Sequence, residues 1–208
     1  MKKLFLLIVL FISVGTGMGA QNFPKVIFPG DYPDPSILRD GKDYYITHSP
    51  FYYAPGFLIW HSTDLMNWEP VCRALPEYEG SAMAPDLLKY QNRYYIYYPT
   101  SAGEIYVIYA DDIRGPWSKP VKLALKGIDP SHVVGEDGKR YLFTNNGWIT
   151  PLSEDGLKVT GPSRKVYDGW EYPANWVTEG KDMYLESPKL LRKDGYYYMI
   201  SAEGGTAG

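Results

Sequence analysis

Four times in this chain a proline stands just ahead of a short apolar run, and each run leads to a turn and then to tyrosine. Asp34-Pro35-Ser36-Ile37-Leu38 precedes Asp40-Gly41 and Tyr44-Tyr45, and Ala84-Pro85-Asp86-Leu87-Leu88 precedes Gln91-Asn92 and Tyr94-Tyr95. Asp129-Pro130-Ser131-His132-Val133 precedes Asp137-Gly138 and Tyr141, and Glu186-Ser187-Pro188-Lys189-Leu190-Leu191 precedes Asp194-Gly195 and Tyr196-Tyr197. The steps from Asp34 to Asp86, to Asp129 and to Glu186 are 52, 43 and 57 residues. Periods of about 40–50 residues, each holding several short strands, are the mark of β-propeller blades.

The rest of the chain agrees with an all-β fold. Strands are expected at Asp43–Thr47, Phe57–Ser62, Tyr94–Tyr98, Tyr106–Ala110, Arg140–Thr144 and Tyr196–Ser201, each bounded by Gly, Pro, Asp or Asn. Asp40-Gly41, Asp137-Gly138 and Asp194-Gly195 are hairpin signals. Of the 20 Tyr residues eleven fall in pairs or a triplet, most of them inside these runs, where aromatic side chains suit a pleated surface. Seventeen Pro and 21 Gly interrupt any long helix.

The first twenty residues stand apart from this pattern. Lys2 and Lys3 precede an apolar run from Leu4 to Val14, and small residues then lead to Ala20. This is the layout of a secretory signal peptide cut at Ala20–Gln21, and the run is short of the roughly 20 residues of a spanning helix. The mature chain of 188 residues would be secreted or periplasmic, and losing two Lys moves its net charge from -3 to -5. A mildly acidic chain without a basic cluster argues against nucleic acid or an anionic membrane as partner. Cys72 is alone, so no internal disulfide forms, and no base stands near it in the sequence to make it a nucleophile.

In a propeller the first strand of each blade lines the central channel, so acids at the start of successive blades converge. Three carboxylates around a sugar-sized funnel can cleave a glycosidic bond. One stays protonated to give its proton to the departing oxygen, one stays ionised to activate water or attack carbon, and a third tunes the donor. Each also has a plain structural reading, since an Asp before Pro closes turns and a Glu can end a surface strand.

The wording resembles glycoside hydrolase family 43, the five-bladed propeller enzymes that include β-xylosidases and α-arabinofuranosidases, from about Pro24 to the last residue. The resemblance rests on Tyr32-Pro33-Asp34-Pro35-Ser36, on Ile128-Asp129-Pro130-Ser131 followed by Asp137-Gly138-Lys139, and on Glu186-Ser187-Pro188-Lys189 before Tyr196-Tyr197-Tyr198. Phe57 to Trp68 and Ala202-Glu203-Gly204-Gly205-Thr206 add to it. It implies Asp34 as the general base, Glu186 as the general acid and Asp129 as the orienting, pKa-setting carboxylate. It also implies inversion, with base and acid roughly 6.5–9.5 Å apart to admit a water. Tyr32-Pro33 and Ile128 stand where the retaining, invertase-like propellers carry other residues.

Sugar recognition needs flat apolar surface, for which Phe51, Trp170, Tyr172 and Trp176 are candidates, with core packing as the alternative for each. His132, beside Asp129, is a candidate channel residue, although His132 and His48 both also read as packed histidines. Asp86 stands one place later than the other acids and reads as structural. Many family members carry a Trp where this chain has Met83. The resemblance also implies a continuation past Gly208, through the rest of a fourth blade and a fifth. That part supplies a His and an Arg for the substrate or a central calcium. No cofactor is expected to be required. The chain therefore reads as about the first three to four blades of a glycosidase acting on xylan- or arabinan-type oligo- or polysaccharide, poorly stable or inactive alone. The alternatives are a carbohydrate-binding propeller without turnover and a purely structural propeller.

Overall fold

The computed structural model describes residues 26–78, 80–170, 173 and 185–203; the expected signal peptide, Tyr172, Trp176 and the closing residues 204–208 lie outside them. Three four-stranded antiparallel sheets follow one another. The first holds β1 (Ser36–Asp40), β2 (Asp43–Thr47), β3 (Gly56–Ser62) and β4 (Glu69–Leu75). The second holds β5 (Asp86–Tyr90), β6 (Arg93–Pro99), β7 (Glu104–Ala110) and β8 (Val121–Lys126). The third holds β9 (Ser131–Val134), β10 (Arg140–Thr144), β11 (Trp148–Pro151) and β12 (Arg164–Lys165). A two-stranded fourth sheet pairs β13 (Leu185–Lys193) with β14 (Tyr196–Glu203). Within each sheet spatial order follows chain order, so every sheet is a meander.

All six strands expected from the sequence are present, with boundaries moved by two residues at most. The edge strands β4, β8 and β12 escaped sequence reading, because an edge strand wets one side and tolerates irregular residues, and so did the four-residue inner strand β11. Pro70 in β4 shows this. It sits where the β3–β4 register slips between Ile59 and Trp60, at a position that loses nothing by lacking an N–H.

The tyrosine pairs have a packing reason. Sheets stack face to face, so both faces of an inner strand are covered and every residue along it meets a neighbour. In β6, Tyr94, Ile96 and Tyr98 enter the core against the first sheet with Phe57 and Ile59. Tyr95 and Tyr97 on the opposite face enter the core against the third sheet with Leu142 and Leu152. Phe57, Ile59, Ile96, Tyr97, Tyr98, Ile108 and Leu142 are fully buried. A smaller cluster of Val133, Phe143 and Ile149 meets Leu190 and Met199 of the fourth sheet. Beyond it apolar surface lies open: Leu191, Tyr198 and Ile200 on the last sheet and Ile37 on the first are at least half exposed.

The first strands β1, β5, β9 and β13 are neighbours in that order, and a repeated hydrogen bond joins them. The residue after each of the first three prolines, Ser36, Asp86 and Ser131, is buried and accepts an N–H from the next sheet. The donors are Leu87 N–H to Ser36 Oγ (2.9 Å), His132 N–H to Asp86 Oδ2 (2.7 Å) and Leu190 N–H to Ser131 Oγ (3.2 Å). Each donor is the second residue after its own proline, so the sequence repeat is also the ruler that spaces the sheets. Asp86 occupies this structural slot, as its offset in the sequence suggests.

Candidate active site

The residue before each proline adopts left-handed backbone: Asp34 (φ 52°), Ala84 (φ 40°), Asp129 (φ 53°) and Ser187 (φ 49°). A residue before proline favours extended backbone, and a left-handed one stores strain of order 1–3 kcal/mol, typically at sites where a side chain must be aimed. These four positions are the structural equivalents of one another. Glu186 stands one residue ahead of the position that Asp34 and Asp129 occupy, as the extra Ser187 before Pro188 requires. Here β13 begins ahead of Pro188, whereas β1, β5 and β9 begin after their prolines. Glu186 pairs with Ala202 and Lys189 with Ile200, so Ser187 and Pro188 form a β-bulge opposite Ser201. A bulge re-aims the side chains beside it.

Asp129 is the centre of the arrangement. Its Oδ2 accepts the N–H of Ser187 at 2.9 Å, which joins the third sheet to the residue next to Glu186. Burial pushes the Asp129 carboxyl above the usual carboxylate range, and the negative charge of Asp34 adds to the rise. The Ser187 N–H and the Lys189 ammonium oppose it. Lys189 Nζ also lies 3.5 Å from Asp86 Oδ1, so one cation serves both acids. Asp34 and Asp129 are therefore close enough to sense each other, although 95 positions separate them in the chain. Glu186 is half-buried at the mouth of β13.

The segment carrying Asp34 is pinned by aromatic packing. Phe28 lies against Trp60 (centroids 5.0 Å) and Trp68 (5.6 Å), and Tyr32 meets His48 edge-on at 4.8 Å. Ser49 holds the acid itself: its N–H donates to Pro33 O at 3.0 Å and its hydroxyl donates to Asp34 Oδ2. Nothing in the sequence singled out Ser49 beyond its place next to Phe51.

The aromatic candidates fare differently. Phe51 is half-buried, and its N–H donates to Ala82 O at 3.0 Å, tying the loop after β2 to the second sheet. It lines a cleft of about 350 Å³ with Asp31, Pro33, Ser49, Tyr53 and Arg73, beside Asp34. Trp170 is half exposed, and its N–H donates to Glu203 Oε2 at 2.7 Å, while Tyr167 donates to Glu203 Oε1 at 2.8 Å. Glu203 follows Ala202, the partner of Glu186, so Trp170 sits one strand away from that acid. Trp176 and Tyr172 lie outside the described residues.

His132 is not placed as a sugar contact. Its Nε2 accepts Arg140 Nε–H at 2.9 Å and its ring stacks on Tyr97 (6.1 Å, 4°) between the second and third sheets. Burial and the Arg140 charge press its pKa down to about 3, so the ring is neutral. Arg140 is itself buried, with Tyr90 and Tyr95 each 4.4 Å from its guanidinium. His48 is likewise held neutral chiefly by burial. A cleft of about 610 Å³ lies between Tyr90–Arg93 and Ser153–Lys158 and is lined by none of the three acids. Among the described residues no group of three or more His, Cys, Asp or Glu could hold a metal ion.

Comparison with known proteins places the chain in a family. The model of "Glycosyl hydrolases family 43" matches residues 23–208. A "Xylosidase/arabinosidase" of Butyrivibrio fibrisolvens is 34% identical over 87% of this chain and 38% of its own length. A "Xylan 1,3-beta-xylosidase" of Vibrio sp is 35% identical over 86% of this chain and 38% of its own length. Among solved structures, a xylan β-1,4-xylosidase from Bacillus halodurans C-125 superposes with a TM-score of 0.72 at 33% identity, over 86% of this chain and 38% of that one. The chain thus spans about 38% of the length of these relatives. With the family model covering nearly all of the chain past the leader-like segment, this protein belongs to glycosyl hydrolase family 43.

Proposed function

We propose that the four sheets are the first blades of a five-bladed β-propeller whose channel hydrolyses O-glycosidic bonds in xylan- or arabinan-type saccharides. In this reading a signal peptide over residues 1–20 exports the chain. The single observation that carries it is Asp129: a half-buried carboxyl whose pKa is raised by desolvation and by the Asp34 charge, and which accepts the N–H of Ser187, the residue beside Glu186. Turn-closing acids have no reason to converge from three sheets. The names of the relatives support the sugar class.

Asp34, ionised, takes a proton from a water as the water oxygen attacks the anomeric carbon. Glu186 gives its proton to the departing glycosidic oxygen, and the new anomeric hydroxyl has inverted configuration. Asp129, between them, sets the field in which Glu186 keeps its proton. The left-handed backbone at Asp34 and Asp129 fixes where both carboxylates point before substrate arrives. Phe51 and Trp170 supply apolar surface at the rim. Ile37, Leu191, Tyr198 and Ile200 are the faces that a closing blade would cover.

The test is hydrolysis of aryl β-D-xylosides and aryl α-L-arabinofuranosides by the protein and by its Asp34→Ala, Asp129→Ala and Glu186→Ala variants, with the product anomer followed by NMR. Each variant is expected to lose roughly 10²–10⁴-fold in rate. Wild-type rates in the Asp34→Ala and Glu186→Ala variants, or a retained anomer, overturn the reading.

A further inference from the structure

The step from one sheet to the next is made differently on the two sides of the site. Between the third and fourth sheets, Asp129 Oδ2 accepts directly from Ser187 N–H at 2.9 Å. The equivalent partners between the first and second sheets are Asp34 and Ala84 N–H, and here a hydroxyl is inserted. Ala84 N–H donates to Ser49 Oγ at 2.6 Å, and Ser49 Oγ–H donates to Asp34 Oδ2. Ser49 is 4% exposed, so its hydroxyl is shielded from water, while Asp34 itself is open to solvent. Its backbone N–H also donates to Pro33 O, the residue before Asp34. Ser49 thus grips the acid from both its backbone and its side chain.

The polarity of this relay is determined by the Ala84 amide. A hydroxyl has one hydrogen to donate. An N–H pointing at Ser49 Oγ occupies an acceptor site on that oxygen, which leaves the hydroxyl hydrogen for Asp34. Asp34 Oδ2 is then committed as an acceptor, and Oδ1 is the oxygen left to receive a proton from water. Asp129, gripped by a main-chain amide, cannot move without its strand. Asp34, gripped by a rotatable hydroxyl, keeps its aim while its carboxylate changes protonation during the reaction.

We propose that Ser49 is the positioning residue of the general base, holding Asp34 Oδ2 so that Oδ1 alone faces the attacking water. The proposal rests on the glycosidase reading above. Ser49→Ala, Ser49→Thr, Asp34→Ala and the Asp34→Ala/Ser49→Ala double variant are assayed on an aryl glycoside, with the melting temperature of each recorded. Ser49→Ala is expected to lower kcat by roughly 10–100-fold with KM within about twofold, and Ser49→Thr to recover most of the loss. In the Asp34→Ala background, removing Ser49 is expected to change the residual rate by less than about twofold, since its effect passes through the acid. The same loss in both backgrounds, or a loss confined to KM, overturns the proposal.

A second readout needs no turnover. The Ala84 amide resonance is expected to shift with pH in the wild type and to lose that shift in both Ser49→Ala and Asp34→Asn. The Asp34→Asn control separates Asp34 from His48, the neighbouring titratable ring. An inactive wild type with this coupling intact defeats the glycosidase reading and leaves the contact standing. An active wild type with no coupling and an additive cycle defeats the proposal alone.

Discussion

Lowering the pH from 7 to 4.5 should destabilise this protein through one imidazole. His132 Nε2 accepts Arg140 Nε–H at 2.9 Å, so a proton on that nitrogen would destroy the bond and set two cations against each other. Burial is the first cause, and Arg140 the second, that lower its pKa from 6.5 to about 3. The unfolded chain takes up the proton near pH 6.5 and the folded chain does not, so stability rises with pH across the interval between the two values. The contribution is complete above pH 6.5 and is lost progressively as pH falls toward 3. At one unit below 6.5 the loss is about 1.4 kcal/mol, and at two units about 2.7 kcal/mol. The assay is urea unfolding at pH 7, 5.5 and 4.5, for wild type and for His132→Gln. The Gln carboxamide oxygen can still accept from Arg140 and does not titrate. Subtracting the two pH profiles removes the contributions of His48 and of the carboxylates, which both proteins share. Parallel profiles between pH 6.5 and 4.5 would refute the neutral imidazole.

Asp129→Asn should separate stability from activity. Its carboxyl is raised chiefly by burial and further by Asp34, so its stabilising form is the protonated one, and stability falls as pH rises through the raised value. Asn keeps an acceptor for Ser187 N–H, so the variant is expected to melt higher than wild type at pH 7 while hydrolysing substrate more slowly; a lower melting temperature contradicts this. Asp86→Ala leaves the His132 N–H without its acceptor and Lys189 with Asp129 alone, and should cost roughly 1–3 kcal/mol in denaturant unfolding. Gly195→Ala should cost about 1 kcal/mol with no steric clash, because φ is +82° and an added Cβ meets nothing within 4 Å. Gly138 (φ +73°, equally open) should behave alike, and an unchanged melting temperature in both would contradict the left-handed turns.

Much of the fold can be read from local rules. Asp40-Gly41 and Asp194-Gly195 announce hairpins because only certain residues accept positive φ, and the turns stand where those dipeptides are. The outer strands were hidden because half of each faces water, and neither β4 with its proline nor the two-residue β12 carries a pattern. In the candidate site, Asp34 and Asp129 are legible through their repeated Asp-Pro wording. Ser49, Lys189 and Glu203 are not, because their roles are set by partners far away in the chain: Ala84, Asp86 and Trp170.

The repeat settled the all-β class and the spacing of four sheet-starting segments, since prolines, Asp-Gly turns and tyrosine runs act within a few residues of themselves. It also named the acids. It also showed Glu186 one residue further ahead of its proline than Asp34 and Asp129, but not how that offset is met in space. Only the tertiary structure could decide that, through a bulge at Ser187-Pro188 whose existence depends on pairing with β14. The same holds for His132: beside Asp129 in the chain, it turns away to Arg140 because alternate residues of a strand face opposite sides. The chemistry of each acid is thus a property of its neighbours across sheets, where burial and charge act over distances that chain order does not record.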